Sequence, residues 1–137
     1  MCITPLTYGV GYPVRSMNQG TALVNIYKDG SVLLLTGTVE MGQGLNTKLI
    51  QIATRVLDVP EKHIRVAETS TSNNPNHPPT AGSMGSDLVG MTTLKACEEL
   101  KNRLAPYRKN DPTKDWQAVV SSAILDRECL SAIGHFK

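Results

Sequence analysis

Two short segments carry residues suited to gripping an anion. Gly42-Gln43-Gly44, within "VEMGQGLNTK", stands directly before a stretch with helical apolar spacing, and Gly82-Ser83-Met84-Gly85-Ser86, within "TAGSMGSD", stands before another. The first turn of a helix leaves backbone N–H groups without internal partners and carries partial positive charge, so two helix starts facing one point would bind phosphate or another oxyanion. Gln43, Ser83 and Ser86 could add side-chain hydrogen bonds. Neither segment fits the G-x-x-x-x-G-K-[ST] or G-x-G-x-x-G fingerprints. Spacing alone therefore leaves two readings open for each segment, a plain glycine turn or a backbone cradle.

Other reactive side chains give weaker signals. His63 falls on a helix-to-strand turn and His77 in a polar loop, with no second histidine or cysteine at ligand spacing; both read as surface histidines. Glu40 could act as a base, but its place at a strand end also suits a hydrogen-bonded carboxylate. Met41 and Met84 are residues that fill core gaps or line apolar pockets. Cys2, Cys97 and Cys129 are far apart, odd in number and without CxxC spacing, which excludes a zinc knuckle or dithiol centre and fits reduced thiols in a cytosolic chain.

The elements that must position these residues follow from periodicity. Residues 2–12 mix β-branched and aromatic residues with proline and glycine, predicting an irregular or edge strand. "TALVNIYKDGSVLLLTG" reads as a β-hairpin turning at Asp29-Gly30, with Val32 to Leu35 buried on both faces. Leu45, Leu49, Ile52, Ala53, Val56 and Leu57 form one helical stripe, which should end near Asp58 because Pro60 disfavours helix in the residue before it. Pro60 opens a short turn into a strand through Ile64, Arg65 and Val66. A long Ser/Thr/Asn/Pro/Gly loop follows, of a length that is usually functional when ordered. Ser86 or Asp87 caps the next helix, which Pro106 stops. A last helix begins near Asp111 or Thr113 and buries Trp116, Val119, Val120, Ala123 and Ile124, and the tail "CLSAIGHFK" is strand-like.

At 137 residues, 40% hydrophobic and 19% charged, the chain fits one folded domain, residues 1–137, with a core built mainly from aliphatic side chains because aromatics make up only 4%. A net charge of +2 is too weak for a nucleic-acid partner, and the Lys101, Arg103, Arg108, Lys109 cluster reads as a solvated helix end. No apolar run approaches the ~20 residues that span a bilayer, and the N-terminus lacks the pattern of a signal peptide. With no N-x-S/T sequon, these features predict an intracellular, cytoplasmic protein. The fold class is α+β: a β-hairpin in a mixed sheet, two long amphipathic helices and a shorter third.

"DGSVLLLTGTVEMGQGLNTKLIQIATRVLDVP" closely resembles the molybdenum-binding region of the xanthine dehydrogenase and aldehyde oxidase family, and "CITPLTYGV", "ETSTSNNPNHPPTAGSMGSDLVG" and "ACEELKNRLAPY" extend the likeness over nearly the whole chain. The resemblance implies that Met41, Gly42, Gln43 and Gly44 contact molybdopterin, with Gln43 on its pterin-phosphate portion. It places Ala81, Ser83 and Ser86 on a second wall near phosphate and molybdenum, with the Gly82 backbone approaching the metal where the family commonly has alanine.

It further implies an oxidoreductase that hydroxylates purines or aldehydes with oxygen from water. Intact relatives use molybdenum-molybdopterin, 2Fe-2S clusters and FAD, and are homodimers. The iron–sulfur and flavin segments and the family's catalytic glutamate are missing here, so no catalytic residue is assigned, and the chain is expected to be a partial domain, inactive alone. Such a piece should expose apolar surface, with Leu33 to Leu35 and the tail at Phe136 the expected places.

Overall fold

A computed structural model describes residues 1–109 and 115–137. The hairpin forms as expected, from β1 (Gly20–Ile26) and β2 (Val32–Thr36), paired with Ile26 opposite Val32. Its turn closes through the Tyr27 N–H to Ser31 O (2.8 Å) and Gly30 N–H to Tyr27 O (2.8 Å) bonds, while the Asp29 carboxylate accepts from the Ser31 N–H at 2.9 Å. Only Gly30 takes positive φ (+81°), so the loop is the three-residue kind with a single left-handed residue.

Four strands form one mixed sheet in the order β3-β2-β1-β4, where β3 is Ile64–Val66 and β4 is Ser131–Phe136. β3 runs parallel to β2, and β4 antiparallel to β1. Ala22, Val24, Ile26, Val32, Leu34, Ile64 and Ala132 point to one face and are buried there with residues from the three helices. This is the α+β architecture expected. Of the second hairpin arm, Val32, Leu34 and Leu35 are buried and Leu33 half-buried.

Helix α1 (Leu45–Leu57) buries Leu45, Leu49, Ala53 and Leu57 and ends in a left-handed Asp58, ahead of Pro60, which disfavours helix at Val59. Its N-terminus is closed from within the chain. One oxygen of the Glu40 carboxylate accepts from the Gly42 (2.9 Å) and Gly44 (3.1 Å) N–H groups, and the other from the Asn46 N–H (2.9 Å). These bonds, with Asn46 contributing most, hold the carboxyl below its ordinary value. Glu40 is thus a hydrogen-bonded carboxylate, not a poised base.

Helix α2 (Gly85–Lys109) begins at Gly85, one or two residues ahead of the expected cap, and runs through Pro106 instead of stopping there. Proline costs one backbone bond and crowds the preceding turn. The turn beyond it is held by packing: Leu104 is buried, Tyr107 lies against the core, and Arg108 donates to Leu57 O at 2.6 Å while resting 5.5 Å from the Trp116 ring centroid. Helix α3 (Trp116–Leu125) is capped by Asp115, which accepts from the Ala118 N–H; the expected starts Asp111 and Thr113 lie outside the described residues. The Trp116 indole N–H donates to Gly30 O at 2.7 Å, docking α3 on the hairpin turn.

Two expectations need correction. Residues 2–12 form no strand; Pro5, Gly9 and Gly11 interrupt the run, and residues 1–10 are exposed. Exposed apolar surface is not at Leu34 and Leu35, which are buried; the tail does expose Ile133 on the outer sheet face, though Phe136 is half-buried beside Lys95, and further apolar surface lies at Leu125 and at Ile3, Leu6, Tyr8 and Val10 in the N-terminal arm.

α2 lies unusually close to the sheet. A Cβ on Gly134 would stand 1.8 Å from the Thr92 carbonyl oxygen. Gly134→Ala should therefore destabilise the chain by about 3 kcal/mol or more, since neither backbone can yield without repacking; an unchanged urea midpoint would refute this contact. For Glu40, a folded-state pKa below 4.5 means stability that is present above the carboxylate range and lost as pH falls through it. Glu40→Gln should melt lower than the natural chain at pH 7, and the gap should narrow as the buffer is taken below the carboxylate range. A pH-independent gap would show that the charge does not matter.

Candidate functional site

The two glycine-bearing turns stand side by side. In the first, Gly42 (φ +97°) and Gly44 (φ +75°) need glycine for backbone conformation and not for space, because a Cβ on either would meet nothing within 4 Å. Gln43 uses both ends of its amide locally: Nε2 donates to Val39 O at 2.9 Å, and Oε1 accepts from the Met41 N–H at 2.7 Å. The side chain so stiffens the turn and leaves Met41 66% exposed at its tip.

The second wall is the end of the long loop, pinned to the first by several bonds. The Val39 N–H donates to Thr80 Oγ1 at 2.9 Å, and Thr69 Oγ1 donates to Thr38 O at 3.2 Å. His77, bonded to Thr38 Oγ1 at 2.6 Å, lies so tightly on Gly37 that a Cβ there would come 2.1 Å from its ring. Burial lowers the His77 pKa, which keeps the ring neutral. From outside, the Gly11 N–H donates to Gly82 O at 2.9 Å and the Tyr12 hydroxyl to Pro79 O. Gly82 (φ +63°) and Ser83 (φ +56°) are consecutive left-handed residues that swing the chain into α2.

Between the walls is a cleft of about 460 Å³ whose lining includes Met41, Gln43, Ala81, Gly82, Ser83 and Ser86. Six of the eight residues singled out in the sequence thus face one space, while Gly42 and Gly44 shape its rim from behind. Leu45, Lys48, Thr80, Met84 and Gly85 complete the lining. Lys48 and Thr80 were not anticipated. Helical spacing sets Lys48 beside the apolar stripe of α1, but only the α1–α2 packing turns it across the gap, where Nζ donates to Ser86 Oγ at 2.9 Å.

The two helix starts are not equivalent, which corrects the idea of a double helix-terminus site. Glu40 occupies that of α1. At α2, Leu88 N–H to Met84 O is the first turn bond, and the Gly85, Ser86 and Asp87 N–H groups have no carbonyl acceptor among the described residues. The cleft lining contains one cation and no carboxylate. It presents N–H groups, hydroxyls and an ammonium to any oxyanion, with methionine surface for a flat ring; this donor set fits a phosphorylated heterocycle. It does not suit a metal held by side chains alone, and no cluster of three His, Cys, Asp or Glu exists among the described residues. No helix among them is long and apolar enough to cross a membrane.

Comparison with known proteins bears on this cleft. The profile of the molybdopterin cofactor-binding domain matches residues 1–137. The chain is 50% identical over 136 residues to xanthine dehydrogenase of Drosophila pseudoobscura pseudoobscura, covering 99% of this chain and 10% of that protein. It is 45% identical to xanthine dehydrogenase/oxidase of Rattus norvegicus and 43% to aldehyde oxidase 4 of Mus musculus, in each case over all of this chain and 10% of the relative. It therefore spans about a tenth of the length of these relatives. Its fold is that of a region of CO dehydrogenase from Oligotropha carboxidovorans (TM-score 0.74, 21% identity, 85% of this chain and 18% of that one). It is likewise that of a region of aldehyde oxidoreductase from Desulfovibrio gigas (TM-score 0.67, 19% identity, 94% and 14%). With cleft, profile and end-to-end identity in agreement, the chain belongs to the molybdopterin cofactor-binding domain family, in the group that includes xanthine dehydrogenase and aldehyde oxidase.

Proposed function

We propose that the cleft between the Met41–Gly44 turn and the Ala81–Ser86 turn is where this chain grips molybdopterin, as part of a xanthine dehydrogenase or aldehyde oxidase-like hydroxylase. The observation that carries the reading is the convergence of both turns on one carboxylate-free space. Ser83 and Ser86 would offer hydroxyls to the phosphate, beside the unpaired N–H groups at the start of α2. Met41, Gly42, Gln43 and Gly44 would form the opposite wall, with Gln43 acting chiefly by holding the backbone in shape. Ala81 would border the ring, and Gly82, which has no side chain to intrude, would lie nearest the metal.

When bound, the cofactor supplies the redox chemistry: a purine or aldehyde carbon gains oxygen from water, and two electrons and two protons leave. The chain's own contribution is binding and orientation. None of the cleft residues is a carboxylate, histidine or thiol that could take a proton from water, so we infer that the 137 residues hold the cofactor without turning substrate over. Three free cysteines, two of them exposed, are consistent with a reducing, cytoplasmic setting.

The test is the molybdenum content of the purified chain together with the fluorescence of the released, oxidised pterin. Near-stoichiometric amounts of both are expected from cells that make the cofactor, and none at all would sink the reading. Gln43→Ala removes two bonds worth about 1 kcal/mol each at most, so pterin retention should fall roughly five- to thirtyfold. Undiminished retention would show that the turn keeps its shape without them.

A further inference from the structure

We propose that Lys48 is the counter-charge for the phosphate of the bound pterin, and a positioning residue for the cofactor; this rests on the reading above that the cleft holds molybdopterin. Lys48 sits one turn into α1, between the buried Leu45 and Leu49, so the backbone beneath it is fixed by the core while its side chain is exposed. Its ammonium reaches across the cleft to Ser86 Oγ at 2.9 Å, linking the two walls. It also lines a larger groove of about 800 Å³ along α1, which shares Lys48 and Ser86 with the cleft.

Three features suit it to an anion. It is the single cation in the cleft lining. It has no carboxylate partner: the ion pairs among the described residues are Arg103 with Glu99 and Arg108 with Asp58, and the acid in the adjoining turn, Glu40, is committed to three N–H groups. An ammonium has three donors and Ser86 takes one, leaving two for ligand oxygens. The direction of the Lys48–Ser86 bond matters too. Because Ser86 Oγ accepts from Lys48, its own O–H is free to donate into the cleft, and lysine and serine act on the same anion.

A phosphate monoester carries about −1.5 to −2 charge at pH 7. The start of α2 offers only a partial positive charge, and Lys48 adds a full one.

The experiment compares two ligands on the 137-residue chain: the oxidised, fluorescent pterin with its phosphate ester intact, and the same pterin after phosphatase treatment. The natural chain should bind the phosphorylated form at least tenfold more tightly, and added salt should shrink the difference. Lys48→Met should lose roughly tenfold or more for the phosphorylated form alone, the scale of a lost charge-assisted hydrogen bond, while Lys48→Arg keeps most of the preference. A merely structural lysine would weaken both ligands alike. An unchanged phosphate preference in Lys48→Met, or equal binding of both forms by the natural chain, overturns the role of Lys48 and leaves the cleft as a pterin site. Failure of the natural chain to bind either form overturns both readings. Melting of the two variants should match that of the natural chain, since the side chain is exposed.

Discussion

Everything at the cleft depends on how closely α2 lies against its neighbours. Over two turns, from Gly85 to Thr92, the helix meets its neighbours at glycines, and at one of them, Gly134, no Cβ would fit. Gly134 of β4 lies under the Thr92 carbonyl, and Gly20 of β1 under Leu88, where a Cβ would be 3.4 Å away. A Cβ on Gly85 would lie 3.3 Å from Thr38, and one on Gly90 3.3 Å from Ile52 of α1, both tight contacts. Helix–sheet contact at this distance fixes height and tilt together, because an interior this dense has no slack to absorb a shift. The N-terminus of α2 is the second wall of the cleft. Its position is therefore set largely by glycines of β1, of β4 and of α2 itself.

Charge is divided just as strictly. The chain has an acid within the first turn, Glu40, and a cation facing the second, Lys48. Had the Glu40 carboxylate faced the cleft, it would have neutralised the lysine and repelled any oxyanion. Instead it closes the start of α1, where three N–H groups would otherwise lack partners. One helix start thus has its N–H groups closed by a carboxylate, and the other keeps them open, its own first-turn acid, Asp87, lying outside the cleft lining. Glycine at positions 42 and 44 makes this possible, since the backbone must take positive φ twice within three residues to turn its N–H groups back onto Glu40.

Much of this was legible in the sequence wherever a short-range rule governs. The hairpin at Gly30, the stripe of α1 and its stop before Pro60, and the strand at Ile64 all follow from local chemistry. What misled was tertiary. Pro106 ends a helix on propensity alone, yet Leu104, Tyr107 and Arg108 hold the turn around it to the core. The Ile3–Val10 run has strand composition but no partner edge within the described residues. At the site, the glycine turns were visible as turns, and their convergence was only a conjecture. The inequality of the two helix starts was hidden, because nothing in the spacing of Glu40 said which way its carboxylate would point. Lys48 was hidden for a related reason: periodicity puts a residue on a face but does not name the element opposite.

Identity of 19–21% to the solved folds, against 43–50% to the xanthine dehydrogenases and aldehyde oxidase, separates two kinds of constraint. At the lower level about four residues in five differ while the backbone still superposes. That is what aliphatic cores allow, since exchanges that conserve volume cost little. A sheet with α2 pressed on it needs only small residues at a few crossing points and apolar ones elsewhere. The cleft asks for more: two left-handed residues before α2, positive φ at 42 and 44, an acid turned inward and a base turned across. These requirements go beyond a well-filled core. A sequence able to fold this way does not by that fact carry the cleft's pattern of backbone conformation and charge.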